Sequence, residues 1–437
     1  MENISAKAPW KSHLGEVPFT LDYFDGSMFE AVEKIAEKYP NNIAFDFMGR
    51  STTYKALVRE VEDCAKALRT IGVREGDKVT IAMPNCPQAI QMFYAVNLIG
   101  GICNMIHPLS AEKEIEFYLN ESESVTAITL DQFYNKFENI RQNTKVVNIV
   151  IASIKDELSK PVKAGYMLTE GRKIKKIPED APVIRWKEFL HMGKHCFYNY
   201  KVKRTGKDPA VILYSGGTTG TTKGILLSNR NFNALGQQVI AANPMFRVGD
   251  KMLAAMPLFH GFGLGVCIHT MLSQGGRCIL IPRFTAQTYA KQITKYHCNF
   301  IAGVPTLYEA LLRLPSMDNA DLSSLKGVFS GGDCVSGPAT VIRAVAAGKV
   351  AADNIDAYLG FDHKIRSDVE IPPAHLSYTP PCGRVNLENR HLSDYKGDFT
   401  LVKEGMTLEE AQQEASRCLR CDHFGFGIFK GGRNTEW

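Results

Sequence analysis

One run of small and hydroxyl-bearing residues near the middle of the chain strongly limits what the surrounding segment can be. Residues 215–224 are only glycine, threonine, serine and one lysine, Lys223. The run follows an apolar stretch, 210–214, that predicts a buried strand. Glycines let backbone N–H groups turn inward, hydroxyls donate to phosphate oxygens, and lysine adds a positive charge. The pattern predicts a polyanion-binding loop at a strand end; the alternative is a flexible surface turn.

The composition is that of an ordinary folded protein. Of 437 residues, 45% are apolar and 22% are charged, which predicts a large core and two or more domains. A net charge of +5 does not favour nucleic acid as a partner. The first residues lack the pattern of a secretory signal, and polar residues interrupt the most apolar window, 89–109, so no transmembrane segment is predicted. We expect reduced cysteines and a cytoplasmic location.

Alternating patterns predict the fold class. Strand-like runs at 76–84, 102–106, 125–130 and 146–151 alternate with segments of helical spacing. This alternation predicts an α/β domain with largely parallel sheets. The polar and basic stretch 155–182 predicts a loop or excursion from that domain.

The order of residues in the glycine- and threonine-rich loop resembles the phosphate loop of AMP-forming adenylating enzymes, the acyl-CoA synthetase superfamily. It is not a Walker A loop, because Thr222 stands where that motif has glycine before the lysine; in the adenylating family a proline is commoner there. Further segments fall in the family's order and resemble its fatty-acyl-CoA ligase branch. They are residues 76–79, 83–85, 107–110, 114–120, 257–263, 275–277, 304–308 and 325–332. The resemblance covers residues 1–333.

This resemblance implies an ATP-dependent acyl-CoA ligase whose first domain has stacked mixed sheets with flanking helices. Such an enzyme adenylates a carboxylic acid, here a fatty acid, and passes the acyl group to coenzyme A, using ATP with Mg²⁺. The implied phosphate-binding residues are Ser215, Gly216, Gly217, Thr218, Thr219, Gly220 and Lys223. Gly331 and Gly332 would line the adenine slot. His260 would border the nucleotide and acyl sites as the candidate catalytic residue; the alternative is a core or turn histidine.

Apolar residues beside His260 have two interpretations. Phe259, Phe262 and Leu264 would wall an acyl tunnel, or they belong to the ordinary core.

The family pattern stops after Asp333. The expected Tyr-Gly-x-Thr-Glu and Thr-Gly-Asp segments, the hinge and the C-terminal domain with its catalytic lysine are not found in the sequence. Residues 166–170 imitate the first of these segments, but they precede the phosphate loop, and we interpret them as a coincidence. We therefore expect impaired adenylation, because these parts supply much of the transition-state electrostatics. A non-catalytic nucleotide or acyl binder is a further alternative.

Residues 334–437 resemble a second family, the NAD(P)-dependent FAD oxidoreductases near the glutamate synthase small-subunit group. That resemblance implies a flavin contact at Asp333, with Ala339 and Thr340 at the start of the next helix. FAD is the cofactor only under this alternative, and the Gly-x-Gly-x-x-Gly turn of such proteins is not found in the sequence. The change of resemblance at Asp333 suggests a hybrid chain, with a truncated domain at 1–333 and an incomplete one at 334–437.

The last part of the chain carries a Cys-x-x-Cys pair. Residues 409–421 resemble the cysteine-bearing helix that approaches an iron–sulfur cluster in the same oxidoreductases, and the pair is Cys418 and Cys421. A cluster or a structural zinc needs four ligands, which Cys382 and His423 would complete. We favour two free thiols and predict no metal site.

Overall fold

The computed structural model describes residues 17–18, 20–197, 199–215, 222–283, 285–317, 320–329 and 406–416. The chain forms two compact units, residues 1–348 and 349–437. All of the strands given below belong to the first unit.

Two sheets organise the first unit. In chain order the strands are β1 (Ile43–Phe47), β2 (Arg50–Thr53), β3 (Lys78–Ala82), β4 (Ile102–Met105), β5 (Thr126–Leu130), β6 (Asn148–Ala152), β7 (Ile184–Arg185), β8 (Pro209–Ser215), β9 (Lys223–Ser228), β10 (Lys251–Ala254), β11 (Arg277–Leu280), β12 (Phe300–Ala302) and β13 (Gly327–Phe329). The seven-stranded sheet has the order β7-β6-β5-β3-β4-β8-β9, and the six-stranded sheet has the order β13-β12-β10-β11-β1-β2. Neighbours are parallel except at β8/β9 and β1/β2.

Helices connect these strands. They are α1 (Met28–Lys38), α2 (Tyr54–Thr70), α3 (Pro87–Leu98), α4 (Glu112–Glu121), α5 (Tyr134–Ile140), α6 (Lys160–Leu168), α7 (Trp186–Gly193), α8 (Asn229–Ala241), α9 (Met271–Ser273), α10 (Ala286–Tyr296), α11 (Pro305–Leu312) and, in the second unit, α12 (Leu408–Ser416). A π-helix, Phe262–Thr270, leads directly into α9. The α/β class expected from the alternating patterns is confirmed.

The burial of four strands in the core explains why their sequence pattern predicted them. The predicted runs became β3, β4, β5 and β6, whose residues are almost all buried, because a parallel sheet covered on both faces needs continuous apolar strands. Helix α3 is buried along its whole length, since α1, α2, β3 and β4 all contact it. In the described part of the chain no helix is long and apolar enough to cross a membrane.

The segment expected to be a loop, 155–182, contains helix α6. None of the helix's residues is buried, so the polar sequence carried no core-facing apolar stripe that would have predicted it. Its proline, Pro161, stands near the N-terminus of the helix, where the missing N–H does no harm.

A pair of carboxylates, Glu157 after β6 and Glu60 on α2, lies beside Arg50 of β2. The Arg50 guanidinium donates to Glu157 Oε2 at 2.6 Å and to Glu60 Oε1 at 3.4 Å. Gln91 Nε2 donates to Glu60 at 2.9 Å. Burial raises the pKa of Glu157 to about 7, outweighing the attraction of Arg50, and burial also raises the pKa of Glu60.

Replacing Glu157 by glutamine is expected to change the pH dependence of stability. The pKa of Glu157 is about 7 in the folded state, above the ordinary value of 4.5. Between these pH values the unfolded chain releases a proton that the folded chain retains, so wild-type stability falls as pH rises through the window. We expect the free energy of unfolding of wild type, minus that of Glu157→Gln, to fall by about 1–3 kcal/mol from pH 5 to pH 8.

Urea unfolding at both pH values measures this difference. Glu37→Gln, an exposed position on α1, is the control for removing one carboxylate. A difference between wild type and Glu157→Gln that stays constant from pH 5 to pH 8 would contradict the expectation.

Candidate functional site

The glycine- and threonine-rich loop connects two paired strands. Ser215 ends β8 and pairs with Lys223, which begins β9, and both residues are exposed. Because β8 runs parallel to β4, the loop leaves the sheet at the edge where β3, β4 and β5 also end. Ligands of open α/β sheets bind at this carboxyl edge. Residues 216–221, which include Gly216, Gly217, Thr218, Thr219 and Gly220, lie outside the described residues.

The returning arm of the loop is anchored on helix α4. Burial raises the pKa of Tyr118, and the nearby Thr222 side chain lowers it by less. The rings of Tyr118 and Tyr214 lie with centroids 4.3 Å apart, and the Tyr214 hydroxyl donates to the Tyr118 carbonyl at 3.3 Å. The two ends of the loop are therefore both attached to the same helix.

One asparagine holds a segment of the six-stranded sheet against the end of β3. Asn85 Nδ2 donates to the carbonyl of Ala254 at 2.9 Å and to that of Met256 at 2.8 Å. Asn85 Oδ1 accepts from the Leu258 N–H at 2.9 Å. Asn85 is only 3% exposed. It therefore fixes residues 255–261, which follow β10, relative to the other sheet.

Residues 255–261 include His260, whose side chain is exposed. Its Nδ1 accepts from the Phe262 N–H at 3.2 Å, so a neutral ring has its proton on Nε2 and can donate to an anion. Gly261 lies against β8, since a Cβ there would be 3.3 Å from Leu213 Cδ1. The structure thus brings His260 to the strand that leads into the glycine- and threonine-rich loop, and its catalytic role stays a prediction.

A second histidine repeats this arrangement and was given no role in the sequence analysis. His107 follows β4, and its Nδ1 accepts from the Leu109 N–H at 2.9 Å. Its ring lies 4.2 Å from that of Phe259, centroid to centroid. Burial, and then the charge of Lys136, lower the pKa of His107. His107 and His260 share one local feature, a ring nitrogen that accepts from the backbone N–H two residues later. Only the fold shows that the segments carrying these two histidines contact each other.

The apolar neighbours of His260 divide between core and surface. Leu264 is fully buried in the main core, as the ordinary-core interpretation expected. Phe259 and Phe262 are partly buried and pack against the same core. The acyl-tunnel interpretation of these three residues stays a prediction.

A buried histidine lies further along the π-helix. His269 is 0% exposed; its Nδ1 lies 3.1 Å from the Tyr94 hydroxyl and its Nε2 lies 2.9 Å from Asn233 Oδ1. Burial lowers the pKa of His269 to about 3, so the ring is neutral and joins α3, α8 and the π-helix.

Several predicted site residues lie outside the described residues. They are Gly331, Gly332, Asp333, Ala339, Thr340, Cys382, Cys418, Cys421 and His423. Among the residues that are described, no group of three or more histidine, cysteine, aspartate or glutamate side chains is placed to hold a metal ion.

Two α/β sheets are tied together at a carboxyl edge, and a hydroxyl-rich loop leaves that edge, where open α/β sheets bind their ligands. Residues 32–350 match the AMP-binding enzyme family, and the chain belongs to that family. The matched region passes the junction expected at residue 333 and includes Gly331, Gly332 and Asp333.

Individual relatives agree with this assignment. The chain is 29% identical over 333 residues to a long-chain-fatty-acid–CoA ligase of Bacillus subtilis (strain 168), covering 75% of this chain and 59% of the relative. It therefore spans less than two thirds of that relative's length. Its fold is similar to that of the anthranilate CoA ligase AuaEII, solved with anthranoyl-AMP (TM-score 0.61, 22% identity, 72% of this chain and 56% of that one).

A second solved structure, a long-chain-fatty-acid-CoA ligase from Archaeoglobus fulgidus, has a TM-score of 0.59 at 22% identity, over 76% of this chain and 62% of that one. These similarities confirm the expected fold of an acyl-CoA synthetase N-terminal domain. They give no support to an oxidoreductase origin of residues 334–437, which stays a prediction together with FAD.

Proposed function

We propose that this chain binds ATP and a carboxylic acid, specifically a fatty acid, as the adenylating part of an acyl-CoA ligase. The observation that supports it most is the meeting of Ser215, Lys223 and His260 at one sheet edge in a member of the AMP-binding enzyme family. Relatives named as long-chain-fatty-acid–CoA ligases favour a fatty acid and coenzyme A as the other substrates.

In the proposed reaction a carboxylate oxygen forms a bond to the α-phosphorus of ATP while the bond to pyrophosphate breaks. Pyrophosphate leaves, and the thiol of coenzyme A then displaces AMP from the acyl-adenylate. Lys223, the hydroxyls of Ser215, Thr218 and Thr219, and the backbone of Gly216, Gly217 and Gly220 would bind the phosphates. Gly331 and Gly332 would leave room for adenine.

His260 would donate from Nε2 to an anionic oxygen of the nucleotide or the acid, since its Nδ1 is occupied by a backbone N–H. Mg²⁺ bound to the nucleotide would neutralise phosphate charge.

ATP–pyrophosphate exchange by the purified chain, with a panel of fatty and aromatic acids, tests the proposal. Exchange that depends on a fatty acid is the expected result. ATP binding without exchange would favour a non-catalytic nucleotide binder, and a folded sample that does not bind ATP would contradict the proposal. A flavin absorption spectrum in the purified protein would favour the oxidoreductase alternative.

Replacing Lys223 by alanine is expected to weaken ATP binding at least about tenfold, or about 1.4 kcal/mol, because one charge-assisted contact to phosphate is lost. Lys207→Ala is the matched control, since Lys207 is also exposed but precedes β8 at its opposite end. Calorimetric titration with ATP measures both variants. Equal affinities for the two variants would rule out a phosphate contact by Lys223.

A further inference from the structure

A large cavity opens at the far end of the seven-stranded sheet. Its volume is about 840 Å³, and its lining comes from the ends of β5, β6 and β7, from α6, and from residues 171–179. The strand order places β6 four strands from β8, or roughly 19 Å at the usual strand spacing. The cavity is therefore separate from the phosphate loop, and its volume is that of an ordinary small-molecule site.

The floor of this cavity is apolar. Ile151 and Ala152 end β6 and Trp186 begins α7, but these three are at most 5% exposed and form the layer beneath the floor. Ile174 and Ile177 add half-buried side chains. Trp186 is held in place by Phe189, with ring centroids 5.6 Å apart. Such a floor suits a hydrocarbon or another apolar body.

Positively charged side chains dominate the rest of the lining. They are Lys155, Arg172, Lys175, Lys176, Arg185 and Lys187. Three acidic residues, Asp131, Asp156 and Glu179, also line the cavity. Lys155 and Lys187 act on Asp156 and lower its pKa, although burial raises it by more. The cations exceed the acids, so the cavity attracts an anion.

One buried hydroxyl in the lining has no partner. Ser153 is 5% exposed, and its Oγ makes no hydrogen bond within the described part of the chain. Its carbonyl is occupied by Gln88 Nε2 at 2.9 Å. Buried hydroxyls are normally hydrogen-bonded, but this Oγ has almost no accessible surface, so it does not face the cavity.

We propose that this cavity binds a single-chain amphiphile with an anionic head group. The apolar chain would lie on Met167, Ile174 and Ile177, above the buried Trp186, and the head group would lie among the lysines and arginines. A polyanion without an apolar body would make no contact with the apolar floor, and a neutral lipid would have no charge to pair with the lysines and arginines. The head group is a carboxylate or a phosphate, as in a free fatty acid or an alkyl phosphate.

Tryptophan fluorescence can test this directly. The chain has 3 tryptophans, and the Trp10→Phe, Trp437→Phe variant retains only Trp186, which lines the cavity. This variant is titrated without ATP, below the micelle concentration, with dodecanoate, dodecyl phosphate, dodecanol and pyrophosphate. We expect a saturable change in emission with at least one of the two anionic amphiphiles, and at least tenfold weaker binding of dodecanol and pyrophosphate. The comparison of dodecanoate with dodecyl phosphate identifies the head group.

Charge-reversal variants provide a second test of the proposed amphiphile binding. In the same background, Lys175→Glu with Lys176→Glu should weaken amphiphile binding at least tenfold. Lys55→Glu with Lys291→Glu changes the net charge equally at exposed positions outside the cavity and should leave binding unchanged. No emission change with either amphiphile, equal binding of pyrophosphate, or equal affinities in the two charge-reversed variants would overturn the proposal. Since no step uses ATP, its failure is distinct from failure of the adenylation proposal.

Discussion

Replacing Gly263 by alanine is expected to destabilise the first unit by at least about 3 kcal/mol. A Cβ at Gly263 would lie 2.5 Å from the Met256 carbonyl oxygen and closer still to that of Pro257. Both are backbone atoms and cannot rotate away as a side chain does. The segment that carries them cannot easily retreat, because Asn85 bonds to Met256 and Leu258.

Gly165→Ala is the matched control for this substitution. Gly165 lies within α6, and a Cβ there would meet nothing within 4 Å. Alanine should stabilise that helix by about 0.5–1 kcal/mol, because glycine is the poorer helix former. Guanidinium unfolding followed by circular dichroism measures both. A Gly263→Ala protein as stable as wild type would show that the close approach of the π-helix to residues 256–257 is wrong.

Replacing Asn85 by alanine is expected to cost about 2–4 kcal/mol of unfolding free energy, because three hydrogen bonds are lost at a buried position. The Ala254 carbonyl keeps a bond from the Ile281 N–H at 3.2 Å, but the N–H of the fully buried Leu258 loses its bond to Asn85. Asn85→Asp should be at least as destabilising as Asn85→Ala, since a buried carboxylate oxygen would face the carbonyl oxygens of Ala254 and Met256 where Asn85 Nδ2 now donates.

Asn148→Ala is the control for Asn85, since that side chain donates one hydrogen bond, to the Ile71 carbonyl at 3.1 Å. We expect it to cost about 0.5–1.5 kcal/mol. Because the segment held by Asn85 carries His260, any acid-dependent pyrophosphate exchange should also fall more in Asn85→Ala than in Asn148→Ala at a temperature where both are folded. Equal losses of stability in the two variants would show that Asn85 does not join the sheets.

Five strands of the seven-stranded sheet, β3 to β6 and β8, could be predicted because their signals are local. The phosphate-binding role of residues 215–224 rests on a signal of the same local kind and stays a prediction. Strands buried on both faces must be apolar throughout, as β3 to β6 are. A loop for phosphate must combine glycine, hydroxyls and a cation, and residues 215–224 do so within one stretch. The family resemblance extended these local signals to His260 and to the order of the two sheets' segments.

The pairing of distant segments was not predictable in the same way. Asn85 is separated from Leu258 by 173 positions, and nothing near Asn85 in the sequence specifies its partners. The His107–Phe259 contact and the pKa of Glu157 likewise depend on which chain segments surround them. The cavity beside Trp186 takes much of its lining from residues 155–182, a stretch that the polar sequence predicted to be a loop or excursion.

The sequence by itself therefore determined the α/β class and the strands β3 to β6 and β8, since each depends on residues close together in the chain. Only the tertiary structure decided how residues 255–261 meet the end of β3, which histidines share the carboxyl edge, and where charged groups are buried. Hydrogen-bond geometry and desolvation depend on neighbours in space, and these neighbours are brought together only when the two sheets pack.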